Sequence, residues 1–288
     1  MLSTNTWLYW IIGSSIGLSL YDLCKKASVK NNSVFPTLFI SSITGWIALS
    51  VFLLFTGRFV ETISLTPKYI SLLLIKSCIV AASWTATYIA LKTLPITCAA
   101  PIRSTGPLWT IIGAILIFSE VPTPIQGIGM FLVILGCLFF SHTSNRDASS
   151  GGAKAVSLAF LRTILGSCSA LYDKNLRQGL GIDSLTVLWW FLGGMCVMFA
   201  CASVVSHKKF EFRWTIPLTG ILLTLSDACY FNAISYPDSQ ISILSLIRRS
   251  SIVMTFFIGG AIFHEGNLKR KSVALCAILT GVILLCLF

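Results

Sequence analysis

Residues 34–56, VFPTLFISSITGWIALSVFLLFT, contain no Asp, Glu, Lys or Arg. A helix rises about 1.5 Å per residue, so a run of this length crosses the roughly 30 Å hydrocarbon core of a bilayer. Inside lipid the backbone finds no water to bond to, and only a segment that bonds to itself is tolerated. The dyad alternation of a membrane β-barrel strand is missing. Outward from this stretch, further apolar runs lie at 5–22, 67–91, 96–118, 123–141, 154–172, 183–206, 214–235, 239–262 and 267–287. Composition agrees with them. The chain is 55% hydrophobic and only 11% charged, with a mean hydropathy of +0.85. A soluble domain keeps about a quarter of its residues charged, because its surface faces water. The reading is an all-α integral membrane protein of ten transmembrane helices.

The net charge of +11 does not indicate nucleic-acid binding. Most basic residues fall in short loops between apolar runs, where they set orientation. The loops after helices 1, 3, 5, 7 and 9 hold most of them, including Lys25, Lys26, Lys208, Lys209 and Arg270. The opposite side holds Arg58, Lys68, Lys174 and Arg177. By the positive-inside rule both termini then lie outside. The first apolar segment has no preceding Lys or Arg and no small-residue cleavage site after it, so it reads as a permanent helix. The ten cysteines form no C-x-x-C pair and mostly sit in apolar runs; they read as small packing thiols, and no metal or cofactor is expected.

The two halves of the chain resemble each other. Leu20-Tyr21-Asp22 recurs as Leu171-Tyr172-Asp173, each at a helix end and each soon followed by lysine. Ile102-Arg103-Ser104 recurs as Ile247-Arg248-Arg249, and Glu120 and Glu265 follow those first arginines at the same separation of 17 residues. The polar stretch 142–153, rich in Ser and Gly, reads as a linker between residues 1–141 and 154–288. Five helices per half is an odd number, so the second half crosses the membrane in the opposite sense. Such inverted-topology repeats recur in secondary transporters, which bind substrate near the midplane between the repeats.

Ala100-Pro101-Ile102-Arg103-Ser104-Thr105-Gly106-Pro107-Leu108-Trp109, then Phe118-Ser119-Glu120, resembles the fourth helix of an EamA-type half in the drug/metabolite transporter superfamily. Ser245-Leu246-Ile247-Arg248-Arg249-Ser250-Ser251 with Phe263-His264-Glu265 repeats it in the second half. The resemblance covers essentially the whole chain. It implies a ten-helix carrier of amino acids, nucleotide-linked or other metabolites, or drugs, with helices 3, 4, 8 and 9 lining a central cavity. It also implies a multi-pass protein of the bacterial cytoplasmic membrane with both termini in the cytoplasm, against the charge count.

Charged side chains at the centre of a membrane helix cost about 2.5–3.5 kcal/mol on insertion scales, so each calls for a reason. The spans place Lys76, Arg103, Arg162, Arg248, Arg249 and Asp227 within helices. Arg103 and Arg248 are the leading substrate-binding candidates, because a guanidinium stays charged and offers a planar fork to carboxylate or phosphate. The competing reading pairs them with Asp227, Glu120 or Glu265 as a gate. Asp227 itself is either such an anchor or, if desolvated, a proton-coupling group. Trp84 and Tyr88, four residues apart on one helical face, and Tyr230 and Asn232 are candidates to line a pocket or to pack the core. Gly13-x-x-x-Gly17, Gly193-Gly194 and Gly259-Gly260 allow close helix approach.

No G-x-x-x-x-G-K-[ST] loop, HExxH or Ser/His/Asp order is present, so neither ATP-driven pumping nor hydrolysis is expected. The chain reads as a secondary transporter of a small anionic or zwitterionic metabolite, monomeric or homodimeric, with the lipid bilayer and its solute as partners. The rival readings are an exporter of cationic drugs and a membrane enzyme acting on lipid-linked substrates.

Overall fold

A computed structural model describes residues 6–29, 32–93, 106–143, 153–205, 210–251, 253–254, 258 and 268–287, and within them every regular element is helical. The chain forms two compact units, one of Met1–Ala81 with Asp173–Pro237, the other of Ala82–Tyr172 with Asp238–Phe288. Each unit thus draws on both halves of the sequence.

The first unit contains helices α1 (Thr6–Val29), α2 (Val34–Phe55) and the short α3 (Phe59–Ile63). It also takes the beginning of α4 (Pro67–Thr93) and the last residues of α7 (Ala153–Lys174). A π-helical turn (Asn175–Gly179), α8 (Ser184–Val205) and α9 (Thr215–Ile234) complete it. The α1–α9 contact is polar: Ser226 donates to the carbonyl of Ser14 at 2.8 Å, and Ser28 donates to Thr215 at 2.8 Å. Helix association in lipid gains nothing from hiding apolar surface, so small residues and hydroxyls do this work. Where α2 crosses α9 the two backbones nearly touch. A Cβ added to Gly45 would lie 2.9 Å from the carbonyl oxygen of Gly220. On α8, Trp189 donates its indole N–H to Ser50 at 2.8 Å and Trp190 donates to the carbonyl of Thr62 at 3.0 Å.

The second unit contains the rest of α4 and α7 with α5 (Gly106–Phe118), α6 (Pro124–Thr143), α10 (Ile241–Arg249) and α11 (Leu268–Leu287). Proline opens α6, and Thr123 and Gln126 cap it reciprocally, each backbone N–H meeting the other's side chain at 2.9 and 3.2 Å. A second glycine crossing joins α6 to α11: a Cβ on Gly281 would lie 2.7 Å from the carbonyl oxygen of Gly129.

Among the described residues three helices are long and apolar enough to span a membrane, Val34–Phe55, Pro67–Ala86 and Ser184–Val204. α1, α7 and α9 are comparable in length, but serines and threonines on their buried faces, such as Ser14, Ser167 and Thr219, lower their hydropathy. The expected linker at 142–153 lies almost wholly outside the described residues.

At the start of α8, Asp183 accepts the backbone N–H groups of Leu185 and Thr186 at 3.0 and 3.2 Å, and pairs with Arg58 at 2.9 Å. Burial pushes this carboxyl up, but the Thr186 N–H and the Arg58 and Arg177 guanidiniums outweigh it and hold Asp183 below its ordinary value. A depressed folded pKa contributes stability above the unfolded value, near 3.9, that disappears as pH falls through the folded value. The Arg58 and Asp183 side chains are 43% and 42% exposed, so solvent limits the effect to at most about 1 kcal/mol. Unfolding in detergent between pH 5 and pH 2 should therefore show an acid-dependent loss of that size, smaller in Asp183→Asn. Equal pH profiles for the two proteins would refute it.

Candidate functional site

The second unit builds the arrangement around Arg248. α5 ends at Phe118, and Ser119 adopts a left-handed conformation with φ of 53°. A non-glycine residue there costs about 1–2 kcal/mol and persists where surrounding contacts over-determine it. The turn is held by Ser119 N–H to the carbonyl of Ile115 at 3.1 Å and Glu120 N–H to that of Ala114 at 3.3 Å. It presents Glu120, only 7% exposed, to the first turn of α10. One carboxylate oxygen accepts the N–H of Ile241 at 2.7 Å, and the other accepts the N–H of Ser242 at 3.2 Å together with the Ser242 hydroxyl. These donors have no partner within their own helix, so a buried carboxylate satisfies them and complements the positive end of the helix dipole.

At the other end of α10, Arg248 and Arg249 occupy the last turn, where cations oppose the negative end of the dipole. Both are half-buried. The Arg249 guanidinium lies 3.1 Å from where a Cβ on Gly106 would stand, at the start of α5. Ser167 on α7 donates to the carbonyl of that same glycine at 2.9 Å. α5 and α10 are therefore joined at one end by the Glu120 hydrogen bonds, and at the other the Arg249 side chain lies close against Gly106.

The first unit holds a second charged centre. Lys76 of α4 and Asp173 of α7 form an ion pair with side chains 3% and 5% exposed. The ammonium also lies 4.7 Å from the ring centre of Phe191 on α8 and 5.2 Å from that of Phe231 on α9. Beside it, Ser77 donates to the carbonyl of Phe191 at 3.3 Å. The sequence places Tyr172-Asp173 at a helix end and leaves Asp227 as the single intramembrane anion. In the structure α7 runs on through Lys174 into the π-helical turn, and Asp173 is buried there as the counter-ion of Lys76.

The remaining sequence candidates are distributed between the units. Asp227 is buried on α9, one turn before Phe231 and so on the same face. Tyr230 is buried with its ring 5.5 Å from that of Phe231, and Asn232 is half-buried. Trp84 is half-buried on the part of α4 that belongs to the second unit. Tyr88 lies on the same helix, and nothing about its side chain is described. Arg103 and Glu265 lie outside the described residues. Among the described residues no group of His, Cys, Asp and Glu is placed to hold a metal ion.

Residues 5–142 of the 288-residue chain match the model of the EamA-like transporter family, a likeness that covers just under half of its length. What this part of the chain resembles is a family of membrane transporters, and the long apolar helices agree with an integral membrane protein. No curated protein sequence matches the chain. One crystal structure of a protein superimposes on it with a TM-score of 0.80, covering 98% of this chain and 97% of its own at 14% identity. At that identity the likeness is one of fold alone.

Proposed function

We propose that the protein is a secondary transporter that moves a small anionic or zwitterionic metabolite by alternating access. In this reading the chain crosses the membrane ten times as two inverted repeats, residues 1–141 and 154–288, with 142–153 between them. Arg103 and Arg248 hold the anionic group of the solute, and Trp84, Tyr88, Tyr230 and Asn232 shape its surroundings. Asp227, Glu120 and Glu265 serve as gating or coupling groups. The observation that carries the reading is Arg248. A half-buried guanidinium ends a helix whose start is clamped by a buried carboxylate, in a chain whose residues 5–142 match a transporter family. Membrane proteins hold such a charge where a partner or an anionic solute offsets its cost.

Amino acids and nucleoside-containing metabolites are the classes to screen in liposomes containing the purified protein. A lost hydrogen bond to a charged group is worth about 1.5–3 kcal/mol, or roughly 10- to 150-fold at subsaturating solute. Arg248→Ala and Arg103→Ala should each reduce flux by that factor. Wild-type flux in both variants removes these residues from the site.

A further inference from the structure

We propose that Glu120 is a positioning residue for Arg248, acting through the backbone of α10; this rests on Arg248 being the anion-binding group of the proposed transporter. α10 spans only Ile241–Arg249. Isolated helices this short are marginal, so the geometry of the last turn depends on how the first turn is held. The residue at the N-cap position is Gln240, which makes no side-chain cap bond to α10. Its Oε1 atom is buried without a hydrogen-bond partner among the described residues. Capping passes instead to Glu120, which comes from the end of α5 and occupies both N–H groups of Ile241 and Ser242 and the Ser242 hydroxyl. The strained φ of Ser119 directs it there. At the opposite end of the same helix pair Arg249 lies close against Gly106. With its first turn held, the helix gives the guanidinium of Arg248 a defined place, and a defined place is what a bidentate anion contact requires.

This role differs from gating or proton coupling in one respect. A proton carrier must titrate, whereas a cap needs only an acceptor in the right position. A neutral cap supplied from elsewhere should therefore replace it. Gln240→Asn provides one, since asparagine is among the strongest N-cap residues and glutamine is not.

The probe is inorganic phosphate, and the reading is how far it slows modification of Arg248 by the arginine reagent phenylglyoxal, followed by mass spectrometry on the full-length protein. Phosphate should protect wild-type Arg248. In Glu120→Ala the phosphate concentration giving half protection should rise by roughly fivefold or more, the loss of a cap. In Glu120→Ala/Gln240→Asn it should return to near the wild-type value. Should Glu120→Ala not fold, Ser242→Ala, which removes the hydroxyl alone, is expected to shift half protection in the same direction and Gln240→Asn to restore it. Absence of protection in the wild type overturns the anion-site reading and this inference with it. Protection in the wild type that survives the loss of Glu120, or a loss that the neutral cap does not repair, overturns this inference alone.

Discussion

Lys76→Met should lower the unfolding free energy by about 3–5 kcal/mol, the cost of removing one member of a buried ion pair. Methionine nearly matches the volume and flexibility of the lysine stem, so little of that loss is cavity. What remains is the Asp173 carboxylate, 5% exposed, with its cation gone. The rings of Phe191 and Phe231, which face the ammonium with their negative π surfaces, turn from favourable to indifferent neighbours. The companion variant Lys76→Met/Asp173→Leu removes both charges, and replacement of a whole buried pair by apolar groups is often neutral or stabilising. It should recover most of the lost stability. Denaturant unfolding in detergent micelles of both single variants and the double variant measures the coupling directly. A Lys76→Met protein within 1 kcal/mol of wild type, on the order of an exposed pair, would show that water reaches this centre.

The second large effect belongs to Gly220. A Cβ there would stand 2.9 Å from the carbonyl carbon of Ser41 and 3.2 Å from the backbone nitrogen of Gly45. Both obstacles are main-chain atoms and cannot rotate aside, so α2 and α9 must separate. Overpacking of this kind costs about 1–3 kcal/mol and occasionally more, and separation also gives up the close van der Waals contact on which helix association in lipid depends. Gly220→Ala should therefore melt well below wild type. Gly127→Ala is the control: it sits in a helix and a Cβ on it would meet nothing within 4 Å, so the gain of roughly 1 kcal/mol in helix propensity should dominate. If both alanine variants rise together, the α2–α9 crossing is looser than its backbone distances indicate.

What could be read from the residues alone follows from whether a feature is local. The uncharged run 34–56 predicts a helix, and α2 occupies Val34–Phe55. The run 67–91 predicts another, and α4 covers Pro67–Thr93. Gly17 and Gly194 do mark close approaches, to Ser226 and Ser77 respectively. The pairs Gly45–Gly220 and Gly129–Gly281 carry no local signal, because the partner of each glycine comes from the other half of the chain. The burial of Asp173 is not legible for a local reason: a π-turn after a polar Asp-Lys pair has no hydrophobic signature, so the apolar run stops short of the helix end. Glu120 and Arg248 each stand out in the sequence as charges at or within apolar runs. That one carboxylate closes the start of the helix ending in the other's guanidinium depends on a contact between Glu120 and Ile241, which spacing along the chain does not encode.

The division of the chain into units bears on biosynthesis. The first unit uses residues up to Ala81 and then none until Asp173. During translation α1 and α2 therefore emerge long before α8 and α9, the helices that receive Trp46, Ser14 and Gly45. Until those later segments leave the ribosome, the serine-lined face of α1 and the glycine notch of α2 are without their native neighbours. The insertion machinery, or lipid itself, must shelter them through that interval. The second unit closes later still, since α11 is needed to cover Gly129.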